Sequence, residues 1–339
     1  MKVLIIGGTG TISSAVTERC LKNNITPVLL NRGNHPAGKD IETITADIND
    51  EDAAKQALGN RTFDVVAEFN GFKPEQAERD IRLFTGKTDQ YIFISSASAY
   101  QKPLIDFPIT EKTPLVNPYW DYSRNKAACE DVLFKAYREN GFPVTVVRPS
   151  HTFNEKKVPV SLHGKNGSYQ VVKRISEGRK VIIPGDGTTR WTLTFSTDFA
   201  KGFTGLFGKK EALGEAYHIT SDESMTWNVI YETIAEALGK KLSPVHISTD
   251  FLIACGRKSG YDFAGNLLGD KAASVSFDNT KIKAICPEFV CTVSMKEGIT
   301  RAVEYVMSHK ERQTEDPEFD SWCDRIIGLT EEAERKFTG

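Results

Sequence analysis

Tyr122-Ser-Arg-Asn-Lys126 sets a phenol and an ammonium four residues apart, a spacing that puts both on one face of a helix. A phenol, with a reference pKa of about 10, is a poor base at neutral pH. A cation beside it stabilises the phenolate and lowers that pKa. Ser96, just past the apolar run at 90–94, is placed to hold a substrate oxygen. Together the three groups make a proton relay that interconverts an alcohol and a ketone, with hydride passing to or from a nicotinamide. Tyr-x-x-x-Lys is a common spacing, and Tyr169-Gln-Val-Val-Lys173 repeats it. No serine-rich strand end precedes that second copy and no Arg-Pro strand end follows it, so it reads as a surface pair on a helix.

The relay needs a scaffold, and the chain opens on one. Val3 to Ile6 read as a strand buried on both faces. Gly7, Gly8 and Gly10 follow, where a backbone that must approach a phosphate has no room for a Cβ. Ala15, Val16, Cys20 and Leu21 mark the apolar face of the next helix. Its first N–H groups and the positive end of its dipole point back at the turn. The pattern Gly7-x-x-Gly10-x-x-Ser13 is a dinucleotide turn with Ser in the third position; no Gly-Lys-Ser/Thr follows, which excludes a P-loop. Strands at 27–30, 41–45, 63–67, 90–94 and 143–147 alternate with helices at 51–58, 75–84 and 119–140. This rhythm predicts an α/β fold, a Rossmann-type doubly wound parallel sheet. Asn31-Arg32 ends the second strand, where an acid suits NAD and an arginine suits the 2′-phosphate of NADP, so NAD or NADP is expected with a lean to NADP. A dinucleotide-binding domain is expected over 1–150. Shorter segments over 151–339, with helices near 169–177, 226–238, 249–255, 294–310 and 318–327, suggest a smaller α/β substrate lobe partly interwoven with the sheet.

Composition narrows the function classes. The 339 residues are 40% hydrophobic and 26% charged, with net charge −2, so neither nucleic acid nor an anionic membrane is expected as a general partner. No apolar run approaches the ~20 residues that span a bilayer, and Met1 leads directly into a strand, so no signal peptide is expected. The six cysteines lack any Cys-x-x-Cys pair and the six histidines lack a His-Glu-x-x-His pair. A cytoplasmic protein with reduced thiols and no metal site is expected.

In these motifs the chain resembles the extended short-chain dehydrogenase/reductases of the NAD-dependent epimerase/dehydratase family, over roughly residues 1–240. The resemblance implies that Gly7, Gly10, Thr11 and Ile12 hold the pyrophosphate, and Asp47 and Ile48 the adenine. Phe69, Asn70, Gly71 and Lys73 would line the nicotinamide ribose, with Arg32 at the other ribose. Tyr122 and Lys126 take the base and its partner and also touch the cofactor, with Lys126 holding the ribose, and Ser96, four residues before Tyr100, takes the catalytic hydroxyl. Pro149 and His151 would meet the nicotinamide end, and Ser98, Arg190 and Trp191 the substrate. Arg148-Pro-Ser-His-Thr-Phe-Asn154 departs from the nucleotide-sugar enzymes and leaves the substrate open. The expected activity is that of an epimerase, dehydratase or reductase on a secondary alcohol or ketone, of a sugar or nucleotide sugar. The departures also bring the chain near a branch that includes the chloroplast stem-loop-binding proteins, so a non-catalytic RNA- or protein-binding role is the alternative. Extended relatives pair helices into dimers, which makes the 119–140 helix a candidate homodimer surface.

Overall fold

The structure is a computed structural model that describes residues 1–33 and 41–338. Strand β1 (Lys2–Ile6) lies at its centre, with Val3, Leu4, Ile5 and Ile6 fully buried. Alternation along the strand divides them. Val3 and Ile5 pack into one apolar layer with Ala15, Val16 and Cys20, while Leu4 and Ile6 pack into the opposite layer with Leu58, Leu83 and Leu133. A strand buried on both faces must be apolar at every position, as this one is.

Around β1 run β2 (Thr26–Asn31), β3 (Glu42–Thr45), β4 (Phe63–Glu68), β5 (Thr88–Ile94) and β6 (Val144–Pro149). All pairs are parallel, in the spatial order β3-β2-β1-β4-β5-β6. The order reverses between β1 and β4, and ligands of such sheets bind above that reversal. Helices α1 (Thr11–Lys22), α2 (Glu51–Leu58), α3 (Pro74–Phe84) and α4 (Asp121–Asn140) cover the faces. Asp50 caps α2 by accepting from Ala53 N–H at 3.0 Å, and Gly141 ends α4 in the left-handed conformation.

Beyond β6 the chain forms β7 (His151–Phe153), α5 (Tyr169–Ser176), β8 (Val181–Pro184), β9 (Arg190–Trp191), β10 (Leu193–Phe195) and α6 (Ser196–Gly205). A seventh sheet strand follows, β11 (Ala216–Ile219), which pairs with β6 at the sheet's edge. The sequence reading placed no strand there. Four residues carrying Tyr217 and His218 show no alternation, and only the edge of β6 makes them a strand. Helix α6 packs Phe199 and Phe203 against α1. A separate apolar core holds β12 (Met225–Thr226), α7 (Trp227–Ala237), β13 (Pro244–Ile247), α8 (Thr249–Lys258), α9 (Phe263–Asn266), α11 (Met295–Ser308) and α12 (Pro317–Thr338) in part or whole, while α10 (Thr280–Ile285) packs Ile282 into the layer of α6 and α1. The repeated Tyr169-x-x-x-Lys173 pair fastens α5 to the segment before α12: Lys173 meets Glu315 at 2.6 Å and Tyr169 donates to Gln313 at 3.3 Å. No helix among the described residues is long and apolar enough to cross a membrane.

Beneath the carboxyl end of the sheet, Arg148 on β6 meets Glu130 on α4 at 2.6 Å, and both are buried. Arg148 also donates to the Tyr100 hydroxyl at 3.2 Å and to the Glu111 carbonyl at 3.1 Å. Removing one partner strands a charge in the interior. Glu130→Leu is expected to lower unfolding free energy by about 3–5 kcal/mol, and adding Arg148→Met to recover much of that loss, as read by denaturant unfolding.

Candidate active site

Two cavities open over the carboxyl ends of the strands. The first holds about 420 Å³ and is lined by Gly7, Gly10, Asn31, Arg32, Asp47 and Ile48 with Asn70, Phe72 and Gln76. Gly7 has φ +79°, and a Cβ there would stand 2.6 Å from the Asn70 side chain. The turn therefore needs glycine for both conformation and space. Ser13 explains its own departure from the glycine pattern. Its hydroxyl accepts from Gly10 N–H at 2.9 Å and donates to the Gly7 carbonyl at 2.8 Å, stapling the turn from within. No side chain caps α1, and its first amides have no intrahelical acceptor. A phosphate in front of them would supply one. Among the described residues the Asn31 amide nitrogen, buried beside this cleft, has no hydrogen-bond partner and is a further unmet donor. Asn49 accepts from Gln76 and Arg79, both at 2.9 Å, and fixes the loop that carries Asp47 and Ile48. These features fit a dinucleotide.

The second cavity, about 200 Å³, is lined by Ser96, Ser98, Tyr122, Pro149, His151 and Trp191, joined by Lys102, Trp120 and Asp270. The Ser96 and Ser98 hydroxyls lie 2.9 Å apart, and Ser123 donates to Ser98 at 2.8 Å. This chain of hydroxyls anchors Ser96 to α4. The two cavities adjoin across Phe72 and Tyr122, whose ring centroids are 6.3 Å apart. Behind them Lys126 is 1% exposed and donates to the Gly71 and Ile94 carbonyls, each at 2.6 Å. Its ammonium also sits 4.7 Å from the Phe72 ring centroid and 5.8 Å from that of Tyr122.

The electrostatics differ from the simple reading of the sequence. Burial pushes the Tyr122 phenol above its ordinary pKa, with the Ser96 hydroxyl opposing and the Asp270 carboxylate adding. The Lys126 ammonium lies over the Tyr122 ring with its hydrogen bonds spent on the Gly71 and Ile94 carbonyls, and burial pulls its own pKa down to about 8. The phenol is thus held protonated at neutral pH. Burial, with Lys271 and Lys157 next, brings His151 down to about 3, so its imidazole is neutral.

Several other expected site residues turn their side chains elsewhere. Thr11 faces a wider cleft of about 1030 Å³ between α1 and the loops at 154–169 and 306–314. The Ile12 side chain packs against the apolar layer beneath α1, as does that of Phe69, whose ring lies 5.4 Å from Phe203. Alternation past β4 turns Phe69 into the layer and leaves Asn70 and Phe72 to line the cleft. Lys73 is exposed at the start of α3. Arg190 turns away from the second cavity and donates to the Ser224 hydroxyl at 3.0 Å and its carbonyl at 2.7 Å. Lys102, Trp120 and Asp270 were not anticipated. Asp270 lies far along the chain in a segment with no motif, and only the packing of that segment brings it here.

The family model for the NAD-dependent epimerase/dehydratase family matches residues 3–220. The chain belongs to that family. Its fold is that of the extended short-chain dehydrogenase/reductases. A 2′-dehydrokanamycin reductase of Streptomyces kanamyceticus is 23% identical over 256 residues, 74% of this chain and 70% of that relative. A chloroplast stem-loop binding protein of Arabidopsis thaliana is 26% identical over 253 residues, 70% of this chain and 63% of its own length. Among solved structures, an epimerase from Methanothermobacter thermautotrophicus superposes with a TM-score of 0.74 at 17% identity, covering 91% of this chain and 93% of that one. A UDP-glucuronic acid 4-epimerase from Bacillus cereus, in complex with UDP-glucuronic acid and NAD, gives 0.71 at 18% identity, with 91% and 99% covered.

Gly7→Ala tests the turn. A left-handed alanine costs about 1–2 kcal/mol, and its Cβ would displace Asn70. Lower unfolding free energy together with weakened NADH binding is expected from denaturation and dinucleotide titration.

Proposed function

We propose that the protein is an NAD(P)-dependent oxidoreductase or epimerase acting on a secondary alcohol or ketone of a sugar. The observation that carries this reading is the junction of the two cavities at Phe72 and Tyr122, with the glycine turn on one side and Ser96 on the other. Gly7, Gly10, the first amides of α1, Asp47, Ile48 and Asn70 would hold a dinucleotide. When bound, it supplies the hydride donor or acceptor. Ser96 orients the substrate oxygen by hydrogen bonding. Tyr122, kept protonated by burial, donates its proton to a ketone oxygen as charge develops there. Lys126 then steadies the phenolate left behind through its positive charge. In the oxidative direction Tyr122 must first lose its proton, which burial opposes.

Arg32 lines the adenosine end of the first cleft with no acid beside it on β2, which supports NADP over NAD. The named substrates of the relatives, a dehydrokanamycin and a UDP-sugar, support a sugar or nucleotide sugar. The stem-loop binding relative supports a second reading, a binding protein on the same fold. Salt-sensitive RNA binding that survives Tyr122→Phe would favour that reading.

Parallel titration with NADH and NADPH is expected to show binding of at least one, with NADPH the tighter. Tyr122→Phe is expected to abolish turnover and leave dinucleotide affinity intact; retained turnover would remove Tyr122 from the relay. The pH profile gives a further check. Lys126 carries its charge below about 8 and loses it above, so the reduction rate is expected to hold at lower pH and fall as pH rises through that value.

A further inference from the structure

The second cavity contains two charges that the relay does not use. Lys102 is 4% exposed and lines the pocket, and its ammonium has no hydrogen-bond or ion-pair partner among the described residues. The Asp270 carboxylate lines the same pocket and likewise has none. Each charge lies in the field of the other, but burying an ammonium and a carboxylate without hydrogen bonds is costly, so their presence beside Tyr122 calls for a ligand that supplies those bonds.

Both residues are held in place from outside the pocket. Lys102 follows the turn after β5, and its N–H donates to the Val116 carbonyl at 3.0 Å. Asp270 is clamped on each side. Asn117 donates to the carbonyl of Gly269 at 2.7 Å, and Trp227 donates to that of Lys271 at 3.0 Å. Asn117 donates equally to the Ser98 carbonyl, at 2.7 Å, which ties the segment of Asp270 to that of the catalytic serine. Gly265 and Gly269 pack against the Trp120 ring so closely that a Cβ on either would stand under 3 Å from it. The neighbouring Lys271 is already engaged, its ammonium donating to Asn266. Asp270 and Lys102 are therefore the fixed, uncommitted acceptor and donor of the pocket.

We propose that Lys102 and Asp270 form a substrate-reading pair that selects a neutral, hydroxylated sugar ring next to the reacting carbon. The inference rests on the oxidoreductase reading and specifies its substrate class. One ring hydroxyl donates to Asp270, and another oxygen accepts from Lys102. Both members line one small pocket, so a charged ring substituent that approaches one of them is brought close to the like charge of the other: an ammonium is repelled by Lys102, and a carboxylate or phosphate by Asp270. At about 200 Å³ the pocket has room for roughly seven waters at ~30 Å³ each, the scale of one sugar ring.

Trp120 and Trp191 line the pocket, so tryptophan fluorescence can report its occupancy. Glucose, glucosamine and glucuronate serve as neutral, cationic and anionic probes in the wild-type protein, in Asp270→Asn and in Lys102→Met. Glucose is expected to bind the wild-type protein best. In Lys102→Met, glucosamine should gain on glucose by roughly tenfold, and in Asp270→Asn glucuronate should gain similarly. NADH titration of each variant should match wild type, which shows that the fold and the first cleft are intact. An affinity order unchanged in both variants overturns the inference. So does a wild-type preference for a charged sugar, or failure of a protein that binds NADH to bind any of the three. Failure of the wild-type protein to bind either dinucleotide overturns the oxidoreductase reading and this inference with it.

Discussion

The buried ammonium of Lys126 ties the site together. It is sealed from water and donates to two carbonyls, that of Gly71 after β4 and that of Ile94 at the end of β5. Those bonds join α4 to the ends of two central strands. The Phe72 ring lies over the same ammonium, and Phe72 forms the wall between the two cavities. A charge in such a place is costly unless its hydrogen bonds are met, and meeting them fixes the spacing between helix and sheet. The position of Tyr122, one turn before Lys126 on α4, follows from that spacing.

Burial then determines the chemistry. The same desolvation that lowers the pKa of Lys126 raises that of Tyr122. The phenol stays protonated at neutral pH and the lysine keeps its charge below about 8; in the proposed relay the first would donate a proton and the second would act through its position and charge. The hydroxyl chain from Ser123 through Ser98 to Ser96 orients the remaining polar group from the same helix. Below, the pair of Arg148 and Glu130 links α4 to β6, so the helix that carries Tyr122 is tied to the sheet by two buried charges.

Much of the fold could be read from the chain in order. The run Val3 to Ile6, the glycine turn and the alternating segments after it are local signals, and each fell on an element of the sheet or its helices. The family resemblance read from the same motifs agrees with the match over residues 3–220. Less legible was whatever depended on side-chain direction at the end of a strand. Phe69 and Asn70 are neighbours, yet one enters the apolar layer and the other the cleft. Arg190 and Trp191 divide in the same way, one bonded to Ser224 and the other lining the pocket.

The amino-acid sequence by itself determined the strand and helix periodicity, the phosphate-sized turn and the Tyr122–Lys126 spacing, because each depends on residues close in the chain. Tertiary structure alone decided the seventh strand, the direction in which Tyr122 is shifted, and the meeting of Lys102 with Asp270. Each of these requires groups far apart in the chain to exclude water from one another, and no local pattern records which groups will do so.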